Sequence, residues 1–274
     1  MSTIDVIPSD PVFRRVPAGA GLCWWAEGWR AFTRAPLPWV GLALGFFVLM
    51  WLLGRFPLGS LLSQWLSLPL LALGVLFAAA LRRRLGQART ITPSGMPLEP
   101  DNDGALSASG RVWTQRIGPL LLASLLVLAL GGVVGAVIVI GLGALFGIGL
   151  ASLGAFAKMM TPGMGMAAGM GAVAGSIMTL MLLLLLVLYL FSVAFWFVNT
   201  LVAIGGLSPW NAVKLSVRAG FANLAPITLF TLLLLPISLL AMLPMGLGLL
   251  ILFPVLSGAS AASYFDVFGA DTPA

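Results

Sequence analysis

Long runs of uncharged, mostly apolar residues are separated along this chain by shorter stretches that carry the charges. Uncharged runs cover residues 35–54, 56–81, 117–157, 159–213 and 219–265. A transmembrane helix needs about 20 apolar residues, so the first two runs hold one helix each and the last three are long enough for more. The pattern predicts six transmembrane helices, near residues 37–54, 58–80, 119–140, 177–199, 225–243 and 245–263.

An eight-span arrangement also fits the lengths of these runs. If 117–157 and 159–213 each contained two spans, Lys158 would lie on the same side as the N-terminus. That arrangement requires a helix through 159–177, where glycine recurs and strongly apolar side chains are few. Because glycine costs about 1 kcal/mol relative to alanine in a helix interior, the sequence favours six spans.

Three shorter stretches have the periodicity of amphipathic surface helices. The first is Leu22–Arg34, whose apolar face consists of Leu22, Trp25, Trp29 and Phe32. The third is Ser208–Phe221, with Ser208 and Pro209 as a typical N-cap and first helical residue. Its apolar stripe is formed by Trp210, Val213, Val217 and Phe221, opposite Lys214 and Arg218. The second stretch, 103–117, is weaker and sets Leu106, Trp113 and Ile117 against Arg111 and Arg116.

A proline follows each of these stretches, at Pro36, Pro119 and Pro226. Proline breaks a helix, so we expect the chain to turn there from lying on the bilayer to crossing it. Aromatic and basic residues at a membrane interface are common in any span and could explain each copy alone. Three copies favour a repeat of one surface helix plus one helical hairpin, over about 21–89, 103–200 and 208–264. The interpretation gives one membrane domain, 21–264, with cytoplasmic tails 1–20 and 265–274.

Composition supports the same class of protein. Of 274 residues, 60% are hydrophobic and 8% are charged, and the mean hydropathy is +1.10. A soluble domain carries about 25% charged residues, so this chain could not cover its surface against water. The predicted fold class is therefore an all-α, polytopic membrane protein.

The charges predict an orientation. With the N-terminus in the cytoplasm, twelve of the 14 cations lie inside and only Arg55 and Lys158 lie outside, as the positive-inside rule requires. We predict a bacterial inner-membrane protein with both termini cytoplasmic, whose net charge of +6 attracts anionic lipid headgroups rather than nucleic acid. The residues predicted at the membrane interface are Trp25, Trp29, Arg30, Arg34, Arg82, Arg83, Arg84, Trp113, Arg116, Trp210, Lys214 and Arg218.

Several short motifs resemble an uncharacterised family of proteobacterial inner-membrane proteins. They are Val16-Pro-Ala-Gly19 with Gly21, Trp24, Glu27-Gly28-Trp29 and Phe32, then Phe197, Leu201-Val202-Ala203, Ala212, Ser216 and Asn223, and finally 263–268. That family is similar to a broader group that includes the YciC-like proteins and the membrane domain of glycerophosphodiester phosphodiesterases. The resemblance implies a six-helix membrane fold and no known activity. It also implies Arg at the position where this chain has Phe265.

Candidate chemistry is sparse. All eight acidic residues lie outside the predicted spans, which argues against a proton- or sodium-driven transporter. The single Cys23 excludes an internal disulfide, and the absence of His removes the commonest metal ligand. Gln64, Asn199 and Asn223 are interpreted as interface residues rather than bonds between helices. We predict no catalytic residue and no cofactor.

Two function classes fit these observations. The preferred one is a non-catalytic module that organises lipids or partner proteins, with a second copy or another membrane protein as a possible partner. The alternative is a transporter or flippase-like carrier of a neutral or amphipathic substrate, which needs a polar path between the helices. No polar stripe follows any predicted span, so the first class is favoured.

The segment Lys158–Ala172 is rich in methionine and glycine and lies on the periplasmic side in the six-span arrangement. Thioether sulfur selects Cu(I), and the candidate ligands are Met159, Met160, Met164, Met166 and Met170. There is no Cys, His or acid nearby, and Lys158 would repel a cation. The favoured interpretation is a flexible apolar loop.

Overall fold

The computed structural model describes residues 13–91, 102–157 and 164–269, with side chains over 13–84, 104–141 and 175–269. These residues form helices and turns without a strand. The helices are α1 (Ala20–Arg34), α2 (Pro36–Leu53), α3 (Gly59–Ile91), α4 (Asn102–Ala157), α5 (Met164–Phe195), α6 (Val198–Ala203), α7 (Pro209–Ala222), α8 (Leu224–Met242) and α9 (Leu249–Phe268).

Six stretches of these helices are long and apolar enough to cross a membrane. They are Pro36–Leu53, Gly59–Arg84, Gly104–Gly141, Gly175–Ala203, Leu224–Met242 and Leu249–Phe268. Each overlaps one of the six predicted spans. Within the described part of the chain, the prediction of an all-helical, polytopic membrane protein is confirmed.

The chain divides into two compact units. Unit 1 comprises Met1–Leu126 and Val193–Ala274, and unit 2 comprises Val127–Ser192. In unit 1 the central helix is α9, since 72% of its span is buried. Helices α1, α2, α3, α6 and α8 pack against it. The largest fully buried side chains of this unit are aromatic: Trp24, Trp39, Phe77, Phe197 and Phe230.

Glycines let α1 approach its neighbours closely. A Cβ added at Gly28 would overlap the carbonyl oxygen of Val255 in α9, and one at Gly21 would overlap that of Pro226 in α8. Opposite Gly28, a Cβ on Gly258 would lie 2.9 Å from the Cα of Gly28. Small residues at such contacts bring helix backbones together, which increases van der Waals packing where no hydrophobic effect operates between helices.

Helices α3 and α4 are joined by hydrogen bonds around a proline. Pro69 lies inside α3 and has no N–H to offer the carbonyl of Trp65, four residues earlier. The Ser124 hydroxyl of α4 donates to that carbonyl instead. In addition, the Trp113 indole donates to the carbonyl of Pro69 at 2.6 Å. The freed backbone group is thus satisfied from the next helix, as an apolar environment requires.

The break between α5 and α6 is filled by a side chain of α7. The Phe197 N–H donates to Ser216 Oγ at 3.0 Å, and this hydroxyl donates to the Ala194 carbonyl at 2.8 Å. Ser216 is fully buried. A single serine therefore replaces helical bonds that are lost where α5 ends at Phe195.

Unit 2 is built from the two long apolar helices. These helices are much less buried than α9. In each of the spans Gly104–Gly141 and Gly175–Ala203, only 11% of the most apolar 18-residue stretch is buried. One close approach involves Gly131 of α4, where an added Cβ would lie 3.2 Å from the Phe191 ring of α5. Large apolar side chains are exposed along both helices, among them Val137, Val139, Ile140, Met178 and Met181.

The second predicted surface helix is wrong as a separate element. Helix α4 begins at Asn102 and continues through Pro119 to Ala157. A proline inside a helix removes one hydrogen bond, and the rest of the ladder can persist. At the other two junctions the helices do end, since α1 stops at Arg34 and α7 stops at Ala222. The predicted helix break at Pro119 is therefore wrong, and the threefold repeat itself stays a prediction.

Two further boundaries differ from the prediction. Helix α5 begins at Met164, so 164–172 is helical and not a loop, while Met159 and Met160 lie outside the described residues. Alanine and methionine are good helix formers, and they offset the local cost of glycine. The predicted C-terminal tail is also shorter, because α9 runs to Phe268 with Val267 and Phe268 buried.

Candidate anion-binding cavity

The two helices predicted to lie on the membrane surface, α1 and α7, leave some of the predicted interface aromatics exposed. Trp29 is 53% exposed and Trp210 is 54% exposed. Trp25 instead stacks on Phe230 of α8 at 4.7 Å between ring centroids, and its indole donates to the Phe230 carbonyl at 3.2 Å. Trp25 therefore anchors α1 to the protein.

Sequence periodicity missed most of the buried residues of both helices, although Val213 of α7 was placed on the apolar face. In α1 the buried residues are Ala20, Gly21, Trp24 and Gly28. In α7 they are Ala212, Val213, Leu215, Ser216, Ala219 and Gly220. Most of these residues are small, so they contribute little to a hydrophobic pattern that bulky aromatics dominate. Small residues in register on one face were the signal that could have revealed these contacts.

A cluster of hydrogen bonds fastens the N-terminal segment to the end of α9. Arg14 Nη2 lies 3.1 Å from Asp266 Oδ1, and the Trp24 indole donates to Asp266 Oδ2 at 3.1 Å. Asn223 completes the cluster, because its Oδ1 accepts from the Val16 N–H at 2.9 Å and its Nδ2 donates to the Arg14 carbonyl at 3.2 Å. Both carboxylate oxygens of Asp266 are thus engaged in fixing structure.

This cluster corrects the interpretation of Asn223 as an interface residue. Its side chain is buried, with 1% exposed, and joins the N-terminal segment to the α7–α8 junction. The motifs that resemble the family include Val16 and Asp266, but nothing in the sequence indicates that these two residues belong to one cluster. The bonded pair Val16 and Asn223 is separated by 207 residues along the chain, and the pair Arg14 and Asp266 by 252.

Basic residues from separate stretches of the sequence line shared clefts in unit 1. Arg34 of α1 and Arg82 of α3 line one small cleft together with Glu27. Arg82 also lies over the Phe265 ring, with its guanidinium carbon 5.1 Å from the ring centroid. The family resemblance implies an arginine at position 265. This chain has Phe265 there, and its ring makes a cation–π contact with Arg82 of α3.

Three arginines line a larger cavity between α3, α4 and α6. Its volume is about 250 Å³. Arg83 and Arg84 come from the last third of α3, and Arg116 comes from α4. The remaining wall is mainly apolar and includes Leu76, Ala79, Ala80, Val112, Ala203 and Ile204, with Ser109. The described lining contains no carboxylate. We call this site the arginine cavity.

Arg116 is held in place by backbone carbonyls. Its Nη1 donates to Ala203 at 2.6 Å and to Ile204 at 3.0 Å, where α6 ends and carbonyls lack helical partners. Gly206, at φ +69°, turns the chain against the guanidinium, and an added Cβ there would lie 3.0 Å from Arg116 Nη2. Arg116 was predicted to be an interface residue, and the structure makes it a half-buried, fixed wall of the cavity.

The chemistry of the arginine cavity is that of anion recognition. Guanidinium groups bind phosphate and carboxylate oxygens through two parallel hydrogen bonds, and they keep their charge under all biological conditions. Among the described residues, no group of three or more His, Cys, Asp or Glu could hold a metal ion. Sequence reasoning named all three arginines, but the pairing of residues 83 and 84 with 116 depends on the packing of α3 against α4.

Comparisons with family models, with curated proteins and with solved structures found no match to this chain. Its class therefore rests on the structure itself, which is that of a multi-pass α-helical membrane protein.

Proposed function

We propose that this protein is a non-catalytic inner-membrane protein that organises anionic lipid by holding phosphate-bearing headgroups in the arginine cavity. The observation that supports this function is the convergence of Arg83, Arg84 and Arg116 on one cavity with apolar walls. A phospholipid has the matching chemistry, since its phosphate pairs with guanidinium and its glycerol and first acyl carbons contact apolar side chains.

Immobilisation of Arg116 favours binding. Its guanidinium is already ordered by the carbonyls of Ala203 and Ile204, so little conformational entropy is lost when a headgroup arrives. Arg83 is exposed. The cavity thus combines one cation held by backbone carbonyls with one exposed cation.

The same proposal places the arginine cavity on the cytoplasmic side. From Gly59 to Arg83, α3 is about 36 Å long at about 1.5 Å per residue, which matches the thickness of a bilayer core. Arg55 precedes this helix and Arg83 is near the end of its apolar span at Arg84, so in this proposal the two residues mark opposite membrane faces. The exposed Trp29 and Trp210 would then lie in the cytoplasmic headgroup layer.

Lipid binding tests the function. Native mass spectrometry of the purified protein should show retained phosphatidylglycerol in preference to phosphatidylcholine. Arg83→Gln should lower this retention about tenfold, the scale of a lost charge-assisted hydrogen bond, and Arg83→Lys should lower it less. Arg55→Gln removes the same charge in the turn before the start of α3 and is the matched control.

Equal losses in Arg83→Gln and Arg55→Gln would contradict the arginine cavity as the binding site. Free glycerol phosphate, added as competitor, separates recognition of a soluble phosphate from recognition of a membrane lipid. Displacement of the lipid by millimolar glycerol phosphate would point to a soluble anion as the ligand.

Reporter fusions test the orientation. Phosphatase and fluorescent-protein fusions after Pro57, Arg89, Pro162, Leu207 and Pro244 should report outside, inside, outside, inside and outside. A cytoplasmic signal after Pro162, with the other sites unchanged, would support eight spans. Inversion of all five signals would put the arginine cavity outside and contradict the proposed function.

A further inference from the structure

The arginine cavity carries more positive charge than the phosphate of a common membrane lipid can balance. Arg83, Arg84 and Arg116 contribute three charges, because arginine stays protonated under all biological conditions. The phosphodiester of a lipid such as phosphatidylglycerol has a single negative charge. A phosphate monoester has a charge of about −1.5 to −2 near pH 7. The charge of the site is therefore matched better by a terminal phosphate.

Acidic side chains do not supply the missing negative charge where the structure describes side chains. In that part of the chain the acids are Glu27 and Asp266. The carboxylate of Glu27 lies 2.7 Å from Arg30, and that of Asp266 lies 3.1 Å from Arg14. Neither acid lines the arginine cavity. Among the described residues, the balancing charge is thus left to a ligand.

The contacts of Arg116 leave one edge of its guanidinium to bind a ligand. Its bonds to the carbonyls of Ala203 and Ile204 both use Nη1. An added Cβ at Gly206 would lie 3.0 Å from Nη2 and 3.2 Å from the guanidinium carbon, so Gly206 covers a face of the group and not an edge. The edge formed by Nε and Nη2 can donate two parallel hydrogen bonds to two oxygens of one phosphate.

The number of arginines also matches the shape of a phosphate monoester. A terminal phosphate has three free oxygens, which form a triangle with three edges. Each guanidinium can bind two oxygens, and so occupies one edge. A phosphodiester has two free oxygens and offers one edge. Three arginines can therefore all pair with a monoester, whereas a diester leaves most of their donors without a phosphate oxygen.

We propose that the arginine cavity selects lipids whose headgroup ends in a phosphate monoester, such as phosphatidic acid, over phosphodiester lipids. The apolar wall, which includes Leu76 and Val112, contacts the glycerol and the first acyl carbons. This selectivity rests on the proposed function, because it names the class of headgroup that is held at the same site. It adds a preference among lipids that are all anionic.

Competition between lipids tests the selectivity. The purified full chain would be offered equal amounts of phosphatidic acid, phosphatidylglycerol and phosphatidylcholine with identical acyl chains, and the retained lipids would be counted by native mass spectrometry. Near pH 7.5 we expect phosphatidic acid to be retained about tenfold more than phosphatidylglycerol, the scale of one further charge-assisted hydrogen bond. Phosphatidylcholine should be retained least.

The pH dependence tests whether the second charge of the phosphate is recognised. A phosphate monoester loses its second proton near pH 6. The charged groups of the described lining are Arg83 and Arg84 of α3 and Arg116 of α4, which do not titrate in this range, and the chain has no His. The preference for phosphatidic acid should therefore be small near pH 5 and complete near pH 8, while retention of phosphatidylglycerol stays constant.

Variants of the exposed Arg83 test the role of the third arginine. Arg83→Gln should lower retention of phosphatidic acid more than that of phosphatidylglycerol, so that the preference falls from about tenfold to about threefold. Arg83→Lys keeps the charge but loses the paired donors, so it should give a preference between these two values. The control variant Arg55→Gln should keep the full preference.

A soluble phosphate monoester separates the two sources of the same chemistry. Glycerol 3-phosphate has the terminal phosphate without acyl chains, and at millimolar concentration it should not displace phosphatidic acid. Displacement by glycerol 3-phosphate would assign the monoester to a soluble ligand and overturn the lipid.

The remaining results distinguish this selectivity from the proposed function. Equal retention of phosphatidic acid and phosphatidylglycerol, both above phosphatidylcholine, would overturn the selectivity and leave the proposed function intact. Equal retention of all three lipids would contradict both. A preference for phosphatidic acid that is the same near pH 5 and near pH 8 would show that the second charge is not recognised, and would overturn the selectivity.

Discussion

Helix α9 of unit 1 and the two helices of unit 2 differ in how much of their apolar sequence is buried. In α9, 72% of the span is buried against other helices, whereas the spans that contribute to unit 2 are 11% buried in their most apolar windows. The α9 sequence carries Ser257, Gly258, Ala259 and Ala261, which are all buried. The sequence of α5 in unit 2 contains a run of leucines, and many of these side chains are exposed.

This difference shows that hydrophobicity and burial are separate properties in a membrane protein. Leucine gains nothing by leaving lipid for protein, because both surroundings are apolar, while small residues gain close packing. The least apolar of these spans, α9, is the most buried, with a hydropathy of 1.4 against 2.7 for the spans of unit 2. Helix contacts therefore follow small residues.

The largest expected effect on stability is the difference between substituting a glycine in unit 1 and substituting one in unit 2. Gly28→Ala should destabilise the protein by about 3 kcal/mol, since the new methyl group meets the backbone oxygen of Val255, which cannot rotate away. Gly135→Ala in unit 2, where none of the described atoms lies within 4 Å of the new Cβ, should be neutral or stabilise by up to about 1 kcal/mol. Thermal unfolding in detergent measures both, and equal effects would contradict the comparison.

A smaller effect is expected from a buried polar side chain. Asn223→Leu should cost about 2 kcal/mol, because the Val16 N–H and the Arg14 carbonyl lose their partner. Thr179→Val is the control in unit 2, where the exposed hydroxyl bonds only its own helix, at the Gly175 carbonyl. If Asn223→Leu also left the N-terminal segment resistant to proteolysis, the proposed fastening would be wrong.

The contact between α1 and α8 should contribute less to the free energy of unfolding than the hydrogen bonds of Asn223. Trp25→Phe keeps an aromatic ring over Phe230 but loses the bond to its carbonyl, so we expect a loss of about 1 kcal/mol. Arg30→Gln breaks an exposed pair with Glu27 at 2.7 Å, and such pairs contribute little. Equal, negligible changes in the unfolding temperature would show that Trp25 does not anchor α1.

The smallest effect is expected inside unit 2. Gly131→Ala brings a methyl group to 3.2 Å from the Phe191 ring, which can turn aside. We expect a change of about 0.5 kcal/mol, well below that at Gly28. Unfolding in a titration of denaturing detergent provides the measurement. A loss as large as that of Gly28→Ala would mean that α4 and α5 pack as tightly as α1 and α9.

The sequence by itself determined the class of the protein and the number of candidate spans. Long uncharged runs require a membrane and helices, because backbone groups in an apolar medium must bond within their own segment. It also determined two of the three helix breaks at prolines, before Pro36 and near Pro226. These properties depend on composition and local geometry, which a linear pattern records.

Only the tertiary structure decided which faces are buried and which residues share a site. The close approach at Gly28 and the meeting of Arg14 with Asp266 depend on neighbours distant in sequence. The arginine cavity is of the same kind, because Arg83 and Arg116 come from different helices. The physical reason is that glycine, serine and asparagine carry weak hydrophobic signals, and their contribution arises from the backbones and side chains that pack against them.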